Sequence, residues 1–352
     1  MADPAKEHGI EIKRLYKIFG KQAAQHLAAV QGGMTKAELM REHGHVLGLR
    51  NINITMPGGS IQVIMGLSGS GKSTLIRHIN RLIDPTSGEI LIDGVDVVKM
   101  REAELLQFRR HQTAMVFQKF ALLPHRTVLE NTVYGLEIQG LPRKQQLDGA
   151  MRWIERVGLG GFQDRYPNQL SGGMQQRVGL ARALTNNAPI LLMDEAYSAL
   201  DPLIRVDMQT VLLDLQKEIR KTVVFITHDL DEALRLGDRI AILRDGEVIQ
   251  QGTSQDIVLN PADEYIANFV KEVNRGRVIR VDAVMSPLRP GDGAPPGATV
   301  PSDATIEDGL RAVAHAPDGS LAVVAPTGEP IGTVSLRQLA GALVSPAASG
   351  RA

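Results

Sequence analysis

Between Ile61 and Leu82 a short apolar run, IQVIM, leads directly into GLSGSG, a loop with three glycines in six positions. Leu75, Ile76, Ile79 and Leu82 then recur at helical spacing. A strand that must turn at once into a helix, across residues that lack a Cβ, demands a backbone-lined loop at the carboxyl end of a buried strand. Two further apolar segments, Pro189–Asp194 and Val223–Thr227, are separated by a helical pattern over about 203–220. Apolar strands alternating with helices predict an α/β fold whose core is a mainly parallel sheet covered on both faces.

Other segments frame that core. Residues 11–20 predict a first strand ending in a turn, and residues 21–46 read as a polar, partly helical insertion. The insertion carries three of the nine histidines, His26, His43 and His45. With no acidic partner nearby they read as solvated surface rather than a metal site. Asp93-Gly94 sits between apolar pairs and Asp245-Gly246 between AILR and EVIQ, each the signal of a tight hairpin. An antiparallel β subdomain and a helical subdomain over about 119–188 are therefore expected. Composition shifts near Arg275, and residues 286–299 are rich in Pro and Gly, as in a linker or long loop. Beyond it lies the pattern of a small α+β domain, with Thr305 and Asp308 spaced as a capping box. Two strands, Leu321–Ala325 and Ile331–Ser335, and a helix over about 336–343 complete it. The expected division is 1–275, 276–344 and a tail at 345–352.

A chain of 352 residues suggests about two domains. The absence of cysteine excludes disulfides, thiolate metal sites and a cysteine nucleophile. Lys+Arg and Asp+Glu are equal at 39 each, so no global field favours nucleic acid. The first ten residues hold no apolar signal core, and no apolar run nears the ~18 residues that span a bilayer. If the chain serves transport, the channel is expected to belong to another chain.

Gly66-Leu-Ser-Gly-Ser-Gly71-Lys72-Ser73 fits G-x-x-x-x-G-K-[ST], in the strand-to-helix context that this motif requires. Successive backbone N–H groups and the positive end of the helix suit phosphate oxygens. Gly66, Ser68, Gly69, Gly71, Lys72, Ser73 and Thr74 are the candidate nucleotide contacts. Lys72 supplies a cation for the β and γ phosphates, and Ser73 an oxygen for Mg²⁺. Asp194 and Glu195 stand at the carboxyl end of the second apolar strand, where ligands sit in open α/β sheets. Asp194 is the candidate Mg²⁺ ligand and Glu195 the candidate base for an attacking water.

Leu170-Ser171-Gly172-Gly173-Met174-Gln175-Gln176-Arg177 resembles the signature sequence of ABC ATPases. Ser198–Asp201 resembles the D-loop of that superfamily, Gln118 its Q-loop glutamine and His228 its switch histidine. The resemblance implies a P-loop ABC cassette that binds ATP and Mg²⁺. Two copies would pack head to tail, with Ser171, Gly172 and Gly173 of one closing the ATP site of the other. It assigns catalytic roles to Glu195, His228, Lys72 and Gln118, a place near Mg²⁺ to Gln118, and nucleotide contact to Asp201. It also places adenine on an aromatic of the first strand, for which Phe19 fits and Tyr16 is the runner-up.

Over roughly residues 10–275 the chain is most similar to ATPase subunits of glycine betaine, proline betaine and choline importers. IMGLSGSGKSTLIRHINRLIDPTSGEILIDG, AMVFQKFALLPHRTVLENTVYG and LLMDEAYSALDPLIR carry that similarity, with Met174 where most of the superfamily has glutamine. The segment after VMSP (284–287) resembles one CBS motif, implying a regulatory or dimerising role. The implied partners are a second copy, an integral-membrane permease and, through it, an extracytoplasmic solute-binding protein, with no nucleic acid. The implied location is the cytoplasmic face of the inner membrane, peripheral. An exporter motor and a soluble ABC ATPase acting on nucleic acid or ribosomes are the competing readings. A single cassette, the lack of sustained heptads and zero net charge weigh against the latter.

Overall fold

The structure, a computed structural model, describes residues 8–118, 121–288, 297–316 and 318–344. The amino-terminal segment 1–7, the start of the expected helical subdomain at 119–120, most of the Pro/Gly stretch and the tail lie outside the described residues. Two compact units divide the chain, Met1–Gln251 and Gly252–Ala352.

The first unit contains strands β1 (Ile10–Phe19), β2 (Val46–Met56), β3 (Ile61–Met65), β4 (Ser87–Ile92), β5 (Val95–Asp96) and β6 (Thr113–Val116). Its later strands are β7 (Ile190–Asp194), β8 (Thr222–Thr227), β9 (Arg239–Arg244) and β10 (Glu247–Gly252). Its helices are α1 (Leu27–Gln31), α2 (Lys36–His43), α3 (Lys72–Ile79), α4 (Glu102–His111), α5 (Val128–Ile138), α6 (Arg143–Arg156), α7 (Gly172–Thr185), α8 (Pro202–Ile219) and α9 (Leu230–Leu236).

One sheet runs β10-β9-β3-β8-β7-β6, with β3 parallel to both β8 and β9, and β7 parallel to β6 and β8. Every residue of β3, β7 and β8 is buried, as expected of strands covered on both faces. The other sheet, β2-β1-β4-β5, is antiparallel. Leu75, Ile76 and Ile79 of α3 join Ile10 and Ile52 of the antiparallel sheet and Ile64, Leu192 and Ile226 of the parallel sheet in one apolar cluster. Burial of each such side chain contributes about 1.5–3 kcal/mol, and together they fix α3 against both sheets. Asp93-Gly94 and Asp245-Gly246 have φ of 51° and 80°, and of 52° and 85°, the double left-handed geometry of a type I′ hairpin. The helical subdomain consists of α5, α6 and α7, which pack on one another.

Two details differ from the sequence reading. Leu82 continues the helical spacing, but α3 ends at Ile79, Arg81 turns left-handed with φ of 49°, and Leu82 is exposed. Tyr16 is buried in a satellite cluster with Ile18, Val30, Leu39 and Leu47. It is thus unavailable to stack on a ligand.

That satellite cluster anchors the 21–46 insertion. The insertion forms a 3₁₀ turn at Ala23–His26 and helices α1 and α2, the latter opened by a Thr35/Glu38 capping box. The rings of His43 and His45 pack 4.3 and 4.4 Å from that of His26. Among the described residues no group of three His, Cys, Asp or Glu is placed to hold a metal ion. Instead, His45 Nδ1 lies 2.6 Å from the His43 carbonyl and Nε2 lies 2.8 Å from that of Lys21. Only the imidazolium donates from both nitrogens.

The second unit holds α10 (Ser254–Leu259), α11 (Glu264–Val270), α12 (Arg275–Val278), α13 (Ile306–Val313) and α14 (Leu336–Leu343). Its strands β11 (Ser286–Pro287), β12 (Thr299–Pro301), β13 (Ser320–Val324) and β14 (Pro330–Ser335) form a sheet in the order β11-β14-β13-β12. The expected Thr305/Asp308 capping box opens α13. The unit begins ahead of the compositional shift because buried Arg275 donates to the carbonyls of Val258 and Ala342. Helices α10 to α12 therefore belong with the carboxyl-terminal strands. No helix among the described residues is long and apolar enough to cross a membrane.

The two carbonyl acceptors, Lys21 first, raise the His45 pKa above its ordinary value against the opposing effect of burial. Burial first, then His43 and His45, lower that of His26. The His45 contribution is complete below the ordinary histidine pKa and is lost as pH rises through the raised one. Amide exchange at 21–45, corrected for intrinsic rates, should therefore quicken on going from pH 6 to pH 8.5. His45→Gln should remove that dependence.

Candidate nucleotide site

The glycine loop joins β3, central in the parallel sheet, to α3. Gly66, Gly69 and Gly71 have φ of 154°, 79° and 103°. A Cβ on Gly66 would overlap the Leu243 carbonyl of β9, and one on Gly71 would lie 2.7 Å from the Gly48 carbonyl of β2. Gly71 caps α3 with no side-chain acceptor. The first N–H groups of that helix therefore lack intrahelical partners and are available to an anion. Ser70 Oγ is buried without a hydrogen-bond partner beside the same loop. Ser68 and Gly69 form its exposed crest, whereas the Thr74 carbonyl is engaged by His78 Nδ1 at 2.6 Å.

Lys72, only 4% exposed, folds back to donate to the carbonyls of Gly66 and Leu67 at 2.7 and 3.0 Å. Its Nζ lies 3.6 Å from Glu195 Oε1. Burial lowers its pKa, while the carboxylates of Glu195 and Asp194 oppose that shift. Ser73 Oγ donates to Asp194 Oδ1 at 2.7 Å, giving the two hard oxygens that a Mg²⁺ ion accepts. Arg77 Nη2 donates to the other oxygen of Asp194 at 3.1 Å.

Glu195 leaves β7 with φ of 46°, a left-handed geometry that costs a non-glycine residue roughly 1–2 kcal/mol. Ser198 N and Oγ both donate to its carbonyl, closing the turn. The turn aims the carboxylate at Lys72. Gln118 Nε2 donates to Glu195 Oε2 at 2.9 Å, and His228 Nδ1 lies 3.9 Å from the same oxygen. Lys72, Ser73, Gln118, Asp194, Glu195 and His228 thus converge from four segments distant in sequence.

The other candidate residues stand apart. Ser171 Oγ caps α7 by accepting from Met174 N at 3.3 Å, and Ser171 and Gly172 are exposed. Among the described residues no hydrogen bond joins Ser171–Gly173 to the glycine loop. Asp201 caps α8 through Ile204 N at 3.1 Å. Phe19 ends β1 and is 37% exposed, with Lys17 Nζ 5.0 Å from its ring centroid and Gly48 against the ring edge. Sequence reasoning missed Arg77 and Gly48. Arg77 follows Ser73 by one helical turn, a spacing that places both on one helix face. Nothing local marks Gly48, where an added Cβ would lie 2.6 Å from the Phe19 ring and whose carbonyl faces Gly71.

A glycine loop between a parallel-sheet strand and a helix, facing an Asp-Glu pair and backed by an antiparallel sheet and a helical subdomain, defines a P-loop ATP-binding cassette. Residues 49–198 match the family described as ABC transporter. The chain is 53% identical to the glycine betaine transport ATP-binding protein OpuAA of Bacillus subtilis, over 78% of this chain and 66% of that protein. It is 47% identical to the trimethylamine N-oxide transport system ATP-binding protein TmoW of Pelagibacter ubique, over 81% of this chain and 82% of that protein. A dimeric post-hydrolysis state of the ATP-binding cassette MJ0796 bound to ADP and Pi superposes with a TM-score of 0.60 at 34% identity. That match covers 70% of this chain and 98% of the other. The chain belongs to the family of ABC transporter ATP-binding proteins. It spans just under two thirds of the length of the Bacillus relative.

Gly66→Ala should cost at least ~2 kcal/mol of stability, since the new Cβ meets a backbone carbonyl that cannot move aside. Chemical denaturation monitored by circular dichroism will show this as a lowered midpoint at an unchanged slope.

Proposed function

We propose that this chain is the ATP-hydrolysing subunit of a membrane importer for a compatible solute of the glycine betaine, proline betaine or choline type. The observation that carries the hydrolytic reading is the set of groups around Glu195, with Lys72, Gln118 and His228 all within 4 Å of its carboxylate. ATP phosphates take the N–H groups of Gly69 and of Gly71–Thr74, while Ser70 N holds the loop through the Leu67 carbonyl, and Lys72 exchanges its Gly66 and Leu67 carbonyl bonds for phosphate oxygens. Ser73 and Asp194 would hold Mg²⁺, which when bound neutralises phosphate charge. Glu195 accepts the proton of the attacking water, while Gln118 and His228 orient that water and the γ-phosphate.

Ser171 and Gly172 are exposed and Gly173 half-buried at the start of α7, and among the described residues none of the three hydrogen-bonds to the glycine loop. They close the site of a second copy packed head to tail, where free N–H groups meet the γ-phosphate. Asp201 lies at the same junction, and Phe19 offers its open face to adenine. A permease carries the solute, supplied by an extracytoplasmic binding protein, and this subunit works peripherally at the cytoplasmic face of the inner membrane. Nucleic acid is not a partner on this reading, which accords with the balanced charge. The solute class rests on the relatives. A trimethylamine N-oxide importer is the second reading, because the relative named for that solute matches over more of its own length than OpuAA does.

Residues 276–344 supply a CBS-like module, with the order helix α13, strands β13 and β14, helix α14. Its role is regulatory or dimerising.

In proteoliposomes holding the cognate permease and binding protein, the wild type should drive uptake of labelled betaine or choline. Glu195→Gln should retain ATP binding and lose about 10²–10⁴-fold in hydrolysis, together with uptake. Wild-type turnover by that variant would remove Glu195 as the base. Uptake of trimethylamine N-oxide alone would select the second reading. Truncation after Gln251 removes the second unit whole, whereas a cut at 275 strands Arg275 without its Ala342 acceptor. The truncated chain should keep basal ATPase and lose its dependence on ionic strength. An unchanged salt profile would leave only the dimerising role.

A further inference from the structure

Arg205 lies on α8, at the end of the LLMDEAYSALDPLIR stretch but with no role assigned to it so far, and its side chain is about one quarter exposed. Its Nη2 donates to the Leu200 carbonyl at 3.2 Å, and its Nη1 donates to Asp229 Oδ2 at 3.2 Å. Each acceptor controls one side of the Glu195 carboxylate.

On one side, Leu200 ends the turn that begins at Glu195. Glu195 O accepts from Ser198, and Tyr197 O accepts from Leu200 N, so the turn is closed by its own backbone. A bond to the Leu200 carbonyl therefore holds the far end of the segment that sets the left-handed Glu195. On the other side, Asp229 follows His228 directly. Its N donates to Thr227 Oγ1 at 2.9 Å, and its Oδ1 caps α9 by accepting from Glu232 N at 3.1 Å. The remaining oxygen is the one Arg205 takes. Both carboxylate oxygens are then committed, and the backbone that carries His228 is fixed from its downstream side.

We propose that Arg205 is a positioning residue for ATP hydrolysis, one guanidinium that sets the Glu195 and His228 loops at their 3.9 Å spacing. It rests on the reading of Glu195 and His228 as hydrolytic groups. Arg205 touches neither carboxylate nor imidazole. The forked geometry of arginine is what the site uses, since two acceptors in different directions need donors in one rigid plane. Nε is buried without a partner, a cost that an apolar residue at this point of α8 would not carry. Packing of α8 on α9 has an independent link in Gln209 Nε2 donating to Glu232 Oε1 at 3.1 Å. Loss of Arg205 therefore loosens the two loops without separating the helices.

The test uses the full chain in its hydrolytically competent assembly, with steady-state ATPase, equilibrium binding of a fluorescent ATP analogue and thermal melting. Arg205→Gln should lower kcat about ten- to a hundredfold, as expected for misplacement of reacting groups by less than about 1 Å. KM, nucleotide affinity and melting temperature should stay near wild type. Asp229→Asn, which keeps the α9 cap through its amide oxygen, should reproduce that split. The double variant should be no slower than the slower single one, because both remove the same constraint. Arg205→Lys, able to serve one acceptor, should fall between Arg205→Gln and wild type. Wild-type kcat in Arg205→Gln, multiplicative losses in the double variant, or a parallel fall in affinity and melting temperature would each overturn the proposal. Should Glu195→Gln and His228→Ala turn over normally, the underlying assignment fails instead, a result distinct from an inactive Glu195→Gln beside a normal Arg205→Gln.

Discussion

Everything in the first unit depends on the confinement of one loop. Gly66 lies against the Leu243 carbonyl of β9 and Gly71 against the Gly48 carbonyl of β2, so the glycine loop passes between strands of two different sheets. No side chain fits at either point. The loop owes its shape to neighbours that cannot yield, and its N–H groups are preorganised before any ligand arrives. The apolar cluster around Leu75, Ile76 and Ile79 holds α3 in the same place from below. Packing density in such an interior makes that placement stiff.

Against this fixed cradle the charged groups sit in a poised arrangement. Lys72 is buried beside Glu195 and Asp194, and its ammonium is satisfied by two loop carbonyls. Glu195 pays a local backbone cost to point inward, and the turn it begins is closed by Ser198 and held at Leu200 by Arg205. The side of the site that holds Glu195 and His228 is thus built on loops, each tied to a rigid element, while the glycine loop is built on a strand and a helix.

Much of this was legible in the sequence. The glycine loop in its strand-to-helix setting, the Asp194-Glu195 pair after an apolar run, and both Asp-Gly turns carry their own conformational logic, and each element formed where expected. The capping box at Thr305 did the same for the second unit. Other features were illegible because they depend on distant backbone. Leu82 keeps helical spacing, yet the left-handed Arg81 stops the helix. Tyr16 and Phe19 look alike as aromatics of one strand, and only the insertion folding over Tyr16 separates them. The three histidines read as solvated surface, whereas two carbonyls fix His45 and the rings of His43 and His45 pack against His26. The boundary between units follows the buried Arg275, not the change in composition.

Local pattern alone determined the fold class, the phosphate cradle and the identity of the acidic pair, because each rests on short-range periodicity and on residues whose chemistry has few alternatives. Tertiary structure alone decided which side chains share a site. Gln118, His228 and Lys72 meet Glu195 only when parallel pairing sets β3, β8, β7 and β6 side by side. Arg77 reaches Asp194, and Arg205 reaches Asp229, only through the same register. Contacts between segments far apart in sequence are set by the packing of the sheets, and no local pattern encodes them.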